Sequence, residues 1–66
     1  MRVTINGEPH EVTEGLTVAE LINELHLPQR RIAVEVNREI LACEECAARM
    51  LRSDDEIEIV HFVGGG

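Results

Sequence analysis

The pattern that most narrows the folding choices of this chain is Thr17-Val18-Ala19-Glu20. A threonine followed three residues later by a glutamate is a capping box. The hydroxyl accepts from the third helical N–H, and the carboxylate reaches back to the threonine N–H. Val18, Leu21, Ile22 and Leu25 then recur at i, i+3, i+4 and i+7, a single apolar stripe. Glu20, Asn23 and Glu24 take the wet side. His26 falls in the last turn, where a cation complements the helix dipole, and Pro28 stops the helix. A helix with one apolar stripe must cover another element.

The flanking segments supply that element. Met1, Val3 and Ile5 alternate with Arg2, Thr4 and Asn6, the period of a half-buried strand. Asn6-Gly7 is a strong hairpin signal, because both central residues of the tight turn need positive φ. A second strand is expected from His10 to Thr13 with Val12 inward, and Pro9 at its start. Ile32, Val34 and Val36 alternate with Ala33, Glu35 and Asn37 as a third strand. Asn37-Arg38-Glu39 turns into a short fourth strand around Ile40-Leu41. Glu44 to Arg49 suits a short helical turn, and Ser53-Asp54-Asp55 a polar turn. A fifth strand runs from Glu56 to about Phe62. The order ββαββ predicts an α+β, β-grasp (ubiquitin-like) fold: a mixed sheet of four to five strands packed on one main helix.

Sixty-six residues make one domain with a small core. Such a core leaves little room for a deep catalytic pocket, which favours a binding or carrier module over an enzyme. The net charge of −7 opposes nucleic acid and anionic membrane surfaces as partners, since both demand cations. It suits a basic patch on a protein partner. No apolar stretch nears the ~20 residues of a membrane span. Nor does Met1-Arg2-Val3-Thr4-Ile5 open a signal peptide, so a cytoplasmic location is expected. All six basic residues are arginine, so no side chain here can accept an isopeptide bond.

Two features concentrate at the end of the sequence. If Ile57 and Ile59 face the helix, then Glu58, Val60 and Phe62 face the opposite side, which one helix layer cannot cover. Val60 and Phe62, the only aromatic residue, then form an exposed apolar docking patch. The bland alternative is a curled edge that buries them. Gly64-Gly65-Gly66 follow directly, dividing the chain into a domain over 1–63 and a flexible tail over 64–66. Two readings fit those glycines. One is a frayed end. The other is a thin strand of chain that enters a narrow site and presents a carboxylate. An α-carboxylate is an anion at neutral pH and a poor acyl donor until adenylation supplies a leaving group. The sequence has no G-x-x-x-x-G-K-[ST] loop, so activation belongs to a partner.

Cys43-Glu44-Glu45-Cys46 places two thiols one helical turn apart. The intervening glutamates disfavour a thiolate, and structural zinc wants four ligands. Ordinary thiols are the simpler reading. A small redox or zinc module, or a zinc site shared in a dimer, stays open. His10 and His61 read as strand residues, and Asp54-Asp55-Glu56 as a solvated turn rather than a calcium loop.

Asn6-Gly7-Glu8, Gly15-Leu16-Thr17-Val18-Ala19-Glu20-Leu21, Ala33-Val34-Glu35-Val36-Asn37 and Ile59-Val60-His61-Phe62-Val63-Gly64-Gly65, in that order and spacing, resemble the ThiS family. These are sulfur carriers of thiamine biosynthesis, and the resemblance spans almost the whole chain. It implies a β-grasp carrier with no catalytic residues, bound cofactor or metal of its own. A ThiF-type adenylyltransferase, using ATP and magnesium, is implied to activate Gly66. A cysteine-desulfurase system is implied to supply sulfur, giving a C-terminal thiocarboxylate. Thiazole synthase, ThiG, is then implied to consume that sulfur. Gly64 and Gly65 would be the thin tail, and Val60, Phe62 and Val63 the partner-binding surface. There are departures. Cys43 and Cys46 stand where a basic and an aromatic residue are common in the family. A third glycine lengthens the tail, so trimming would move the reactive end to Gly65. A MoaD-like sulfur carrier for molybdopterin shares the fold and the tail. A ubiquitin-like protein modifier is a further alternative.

Overall fold

Turn chemistry sets the first hairpin. Asn6 and Gly7 both take positive φ, 49° and 82°, as a two-residue type I′ turn requires. They join β1 (Arg2–Ile5) to β2 (Glu8–Glu11) with Ile5 opposite Glu8. The second strand thus begins earlier than its apolar content suggests, because a two-residue turn leaves no gap before pairing resumes. Pro9 lies inside β2 rather than ahead of it. Met1 and Val12 exchange both backbone hydrogen bonds at 2.8 Å. Counting inward from that pair, Pro9 opposite Thr4 occupies a position whose N–H would point away from β1. On an edge strand that lost donor costs nothing. Val12 packs against the core, as expected.

The structure, a computed structural model, describes residues 1–27 and 31–62. Helix α1 (Val18–Glu24) carries the complete capping box: Glu20 N–H donates to Thr17 Oγ1 at 3.1 Å, and Thr17 N–H to Glu20 Oε1 at 2.8 Å. Val18, Leu21 and Ile22 are buried, and Leu25 packs beside them. His26 lies just past the helix rather than within its last turn, at φ 59°. His26 N–H donates to Asn23 O, and Leu27 N–H to Ile22 O, the two bonds of a Schellman motif. The expected stop at Pro28 lies outside the described residues.

A second two-residue turn, Asn37-Arg38 at φ 52° and 72°, joins β3 (Ile32–Val36) to β4 (Glu39–Leu41). Helix α2 (Cys43–Ala48) is a full short helix that starts one residue before the expected turn, and Arg49 is its C-cap. β5 (Glu56–His61) closes the order. The sheet runs β2-β1-β5-β3-β4, antiparallel except for the central parallel pair β1–β5. Two hairpins flanking a central parallel pair, with a helix across one face, make the β-grasp fold.

The core lies between α1 and that face: Val3, Ile5, Val34, Val36, Ile57 and Ile59 from the strands, Val18, Leu21 and Ile22 from α1, plus Cys46 and Leu51. Fully burying one such side chain contributes about 1.5–3 kcal/mol. No helix among the described residues is long and apolar enough to cross a membrane.

Candidate partner-docking face

The register of β5 decides what faces outward. Ile57 and Ile59 are buried, while Glu58, Val60 and Phe62 emerge on the opposite side. Val60 is 56% exposed and Phe62 55% exposed, so no curled edge covers them. Ala33 stands beside Val60 on β3. Ile40, 73% exposed, shares this face, because Glu35 is paired with both Ile40 and Glu58. Sequence reading missed Ile40 as a face residue. The signal was present: a two-residue turn at Asn37-Arg38 forces Ile40 opposite Glu35, and hence outward. Apolar side chains at one end of the open face therefore adjoin acidic ones. Glu35 and Glu58 are directly opposite one another, and Glu56 lies on the same side of β5. Like charges in that arrangement repel.

Two asparagines hold β5 in place. Asn37 N–H donates to Glu56 O at 2.7 Å, and Glu56 N–H to Asn37 Oδ1 at 2.9 Å. Asn37 Nδ2 also donates to Asp55 Oδ1 at 2.9 Å. Asp55 is the only buried charged side chain among the described residues. It accepts further from Arg52 N–H at 2.8 Å and Arg49 Nη2 at 3.1 Å. Burial by itself pushes its carboxyl pKa up. The Arg52 N–H, the Asn37 amide and the Arg49 guanidinium outweigh that, and hold it below the usual carboxylate range. Farther along, Ile59 N–H donates to Asn6 Oδ1 at 2.8 Å, and Asn6 Nδ2 to Ile59 O at 3.2 Å.

The cysteines are both thiols; Cys43 is exposed and Cys46 buried. Burial pushes the Cys46 thiol pKa up, and Cys43 and Glu45 push the same way, so a thiolate is disfavoured there. Both line a hollow of about 30 Å³ with Ile22, Ile32, Val34 and Leu41. No group of three or more His, Cys, Asp or Glu among the described residues is arranged to hold a metal ion. His10 lies opposite Val3 and His61 opposite Ile32, both strand residues. The expected site residues Val63, Gly64, Gly65 and Gly66, and the division of the chain after residue 63, lie outside the described residues.

Comparison with known proteins adds family. A family model described as the ThiS family matches residues 3–66. The thiazole synthase of Magnetococcus marinus is 39% identical over all 66 residues, and the chain spans 20% of that enzyme's length. The sulfur carrier protein ThiS of Thermus thermophilus is 36% identical over 97% of this chain and 98% of its own. The crystal structure of the thiamine biosynthesis protein ThiS from Geobacter metallireducens superposes with a TM-score of 0.84 at 38% identity, covering 100% of both chains.

Proposed function

Because the chain belongs to the ThiS family, we propose that it is a sulfur carrier of thiamine biosynthesis whose reactive group is the Gly66 carboxyl carbon. The match that carries this reading is the near full-length one to a protein named as a ThiS sulfur carrier. A partner supplies the chemistry. In a ThiF-type adenylyltransferase, a Gly66 carboxylate oxygen attacks the α-phosphorus of magnesium-bound ATP and pyrophosphate leaves. A cysteine-desulfurase system supplies the sulfur as a persulfide, and a thiol reductant releases it as sulfide and is left as a disulfide. That sulfide attacks the acyl carbon of the adenylate and expels AMP. The product is the thiocarboxylate. Adenylation is needed because the free carboxylate has no competent leaving group.

The folded body is a handle. Val60 and Phe62, with Val63 after them, dock on the partner while Gly64 and Gly65 thread the narrow approach to its active site. The chain acts as a co-substrate rather than an enzyme. The similarity to one stretch of a thiazole synthase supports ThiG as the consumer of the sulfur, since the carrier-like and synthase portions share one polypeptide there.

Intact mass measurement tests this. After incubation with the cognate adenylyltransferase, ATP, magnesium and a sulfide source, the chain gains about 16 Da, the exchange of oxygen for sulfur expected from acyl transfer. A chain lacking Gly65 and Gly66 folds but shows no gain. A gain that persists in that truncated chain rejects Gly66 as the reactive end.

A further inference from the structure

We propose that Asn6 is a positioning residue for the acyl-bearing end of the chain, its carboxamide replacing the strand partner that β5 loses where β1 turns away. The inference rests on the carrier reading above. β1 and β5 pair at Thr4–Glu56 and Ile5–Ile57. At Asn6 the backbone enters the hairpin turn, although its N–H still donates to Ile57 O at 2.8 Å. One rung farther along β5, the side chain takes over, accepting from Ile59 N–H and donating to Ile59 O. A carboxamide offers a donor and an acceptor side by side, as a peptide group does. It therefore extends the ladder without a strand.

Turn chemistry alone does not demand this residue. Asp-Gly and Gly-Gly form the same type of turn. Ionised aspartate, however, has no donor for Ile59 O, and glycine has no side chain. The opposite edge of β5 is held by β3 at Ala33–Val60 and Ile32–His61, and Phe62 N–H donates to Arg31 O at 2.7 Å. With Ile59 gripped from the β1 side as well, β5 is clamped on both edges just before Val60 and Phe62. That clamp fixes the course of the backbone from Ile59 through Phe62, the last segment before the acyl-bearing end, as the chain meets a docked partner. Orientation of this kind is expressed in the rate of the bound complex rather than in its formation.

Asn6→Gly keeps the turn and removes the rung; Asn6→Asp keeps the turn and the acceptor but not the donor. Amide hydrogen exchange followed by NMR reads the clamp directly. In Asn6→Gly the Ile59 amide exchanges at least about tenfold faster relative to Val34, the loss expected when one local hydrogen bond is removed. Pyrophosphate release with the cognate adenylyltransferase reads the consequence: kcat falls about tenfold while KM stays within about twofold, with Asn6→Asp between the two. A merely structural role would not separate kcat from KM in this way. Unchanged Ile59 exchange, an undiminished kcat, or a loss confined to KM overturns the proposal while the carrier reading stands. A wild-type chain that releases no pyrophosphate overturns both.

Discussion

At the scale of single residues, two positions carry more than their neighbourhood in sequence suggests. Asp55 ties the β3–β4 turn, the end of α2 and the start of β5 together through Asn37, Arg49 and Arg52. Its folded-state pKa lies below the ordinary value. Its contribution is therefore fully present above the unfolded carboxyl pKa of about 3.9, and is lost as pH falls through the lower folded value. Urea unfolding from pH 7 down to pH 2 should show stability declining below about pH 4, and Asp55→Asn should flatten that decline. At neutral pH the same substitution costs about 1.5–3 kcal/mol, because an amide nitrogen replaces one oxygen among donors that need acceptors. His26 is the converse case. It holds the left-handed position of the Schellman motif with a side chain that such a position disfavours. His26→Gly should raise the unfolding free energy by about 0.5–1 kcal/mol, measured by the same titration.

At the scale of elements, legibility follows the range of the interactions. The capping box of α1 and the Asn6-Gly7 turn could be read because every group involved lies within four residues of its partner. α2 was visible only as a turn. Its N-cap is Ala42, which has no side-chain oxygen to cap the helix, and Ala42 N–H donates to Glu45 Oε1 at 2.7 Å. Ala42→Ser should supply the missing acceptor and stabilise the domain by about 0.5–1 kcal/mol, seen as a higher urea midpoint with an unchanged slope. The central β1–β5 pair and the sheet order were not written in any local pattern, since they join residues from opposite ends of the chain. Asn6 shows the limit most plainly. Its turn role is local and was legible. Its grip on Ile59, fifty-three residues away, depends on a sheet order that periodicity does not encode.

At the scale of the whole molecule, the open face sets stability against association. Glu35 and Glu58 face each other across β3 and β5, and the chain carries a net charge of −7. Directly opposed like charges weaken a sheet by a few tenths of a kcal/mol or more. A chain selected for stability alone would have no use for that repulsion; under the proposed carrier reading, a cationic partner surface offsets it on docking. The two effects have opposite signs and can be measured separately. Glu35→Gln with Glu58→Gln should raise the unfolding free energy by about 0.5 kcal/mol, while slowing association with the adenylyltransferase several-fold at low salt. The difference in association rate should shrink as ionic strength rises through 0.15 M, where the Debye length falls to about 8 Å. Val60→Ser with Phe62→Ser should behave otherwise. Both side chains are more than half exposed, so stability changes by no more than about 0.5 kcal/mol. KM rises about tenfold, from lost apolar burial at the interface, and that rise survives high salt. Stopped-flow association and urea titration on the two double variants would separate the charged from the apolar half of the face. An acidic pair whose removal left both readouts unchanged would be a passive surface, and docking would then belong to the apolar end alone.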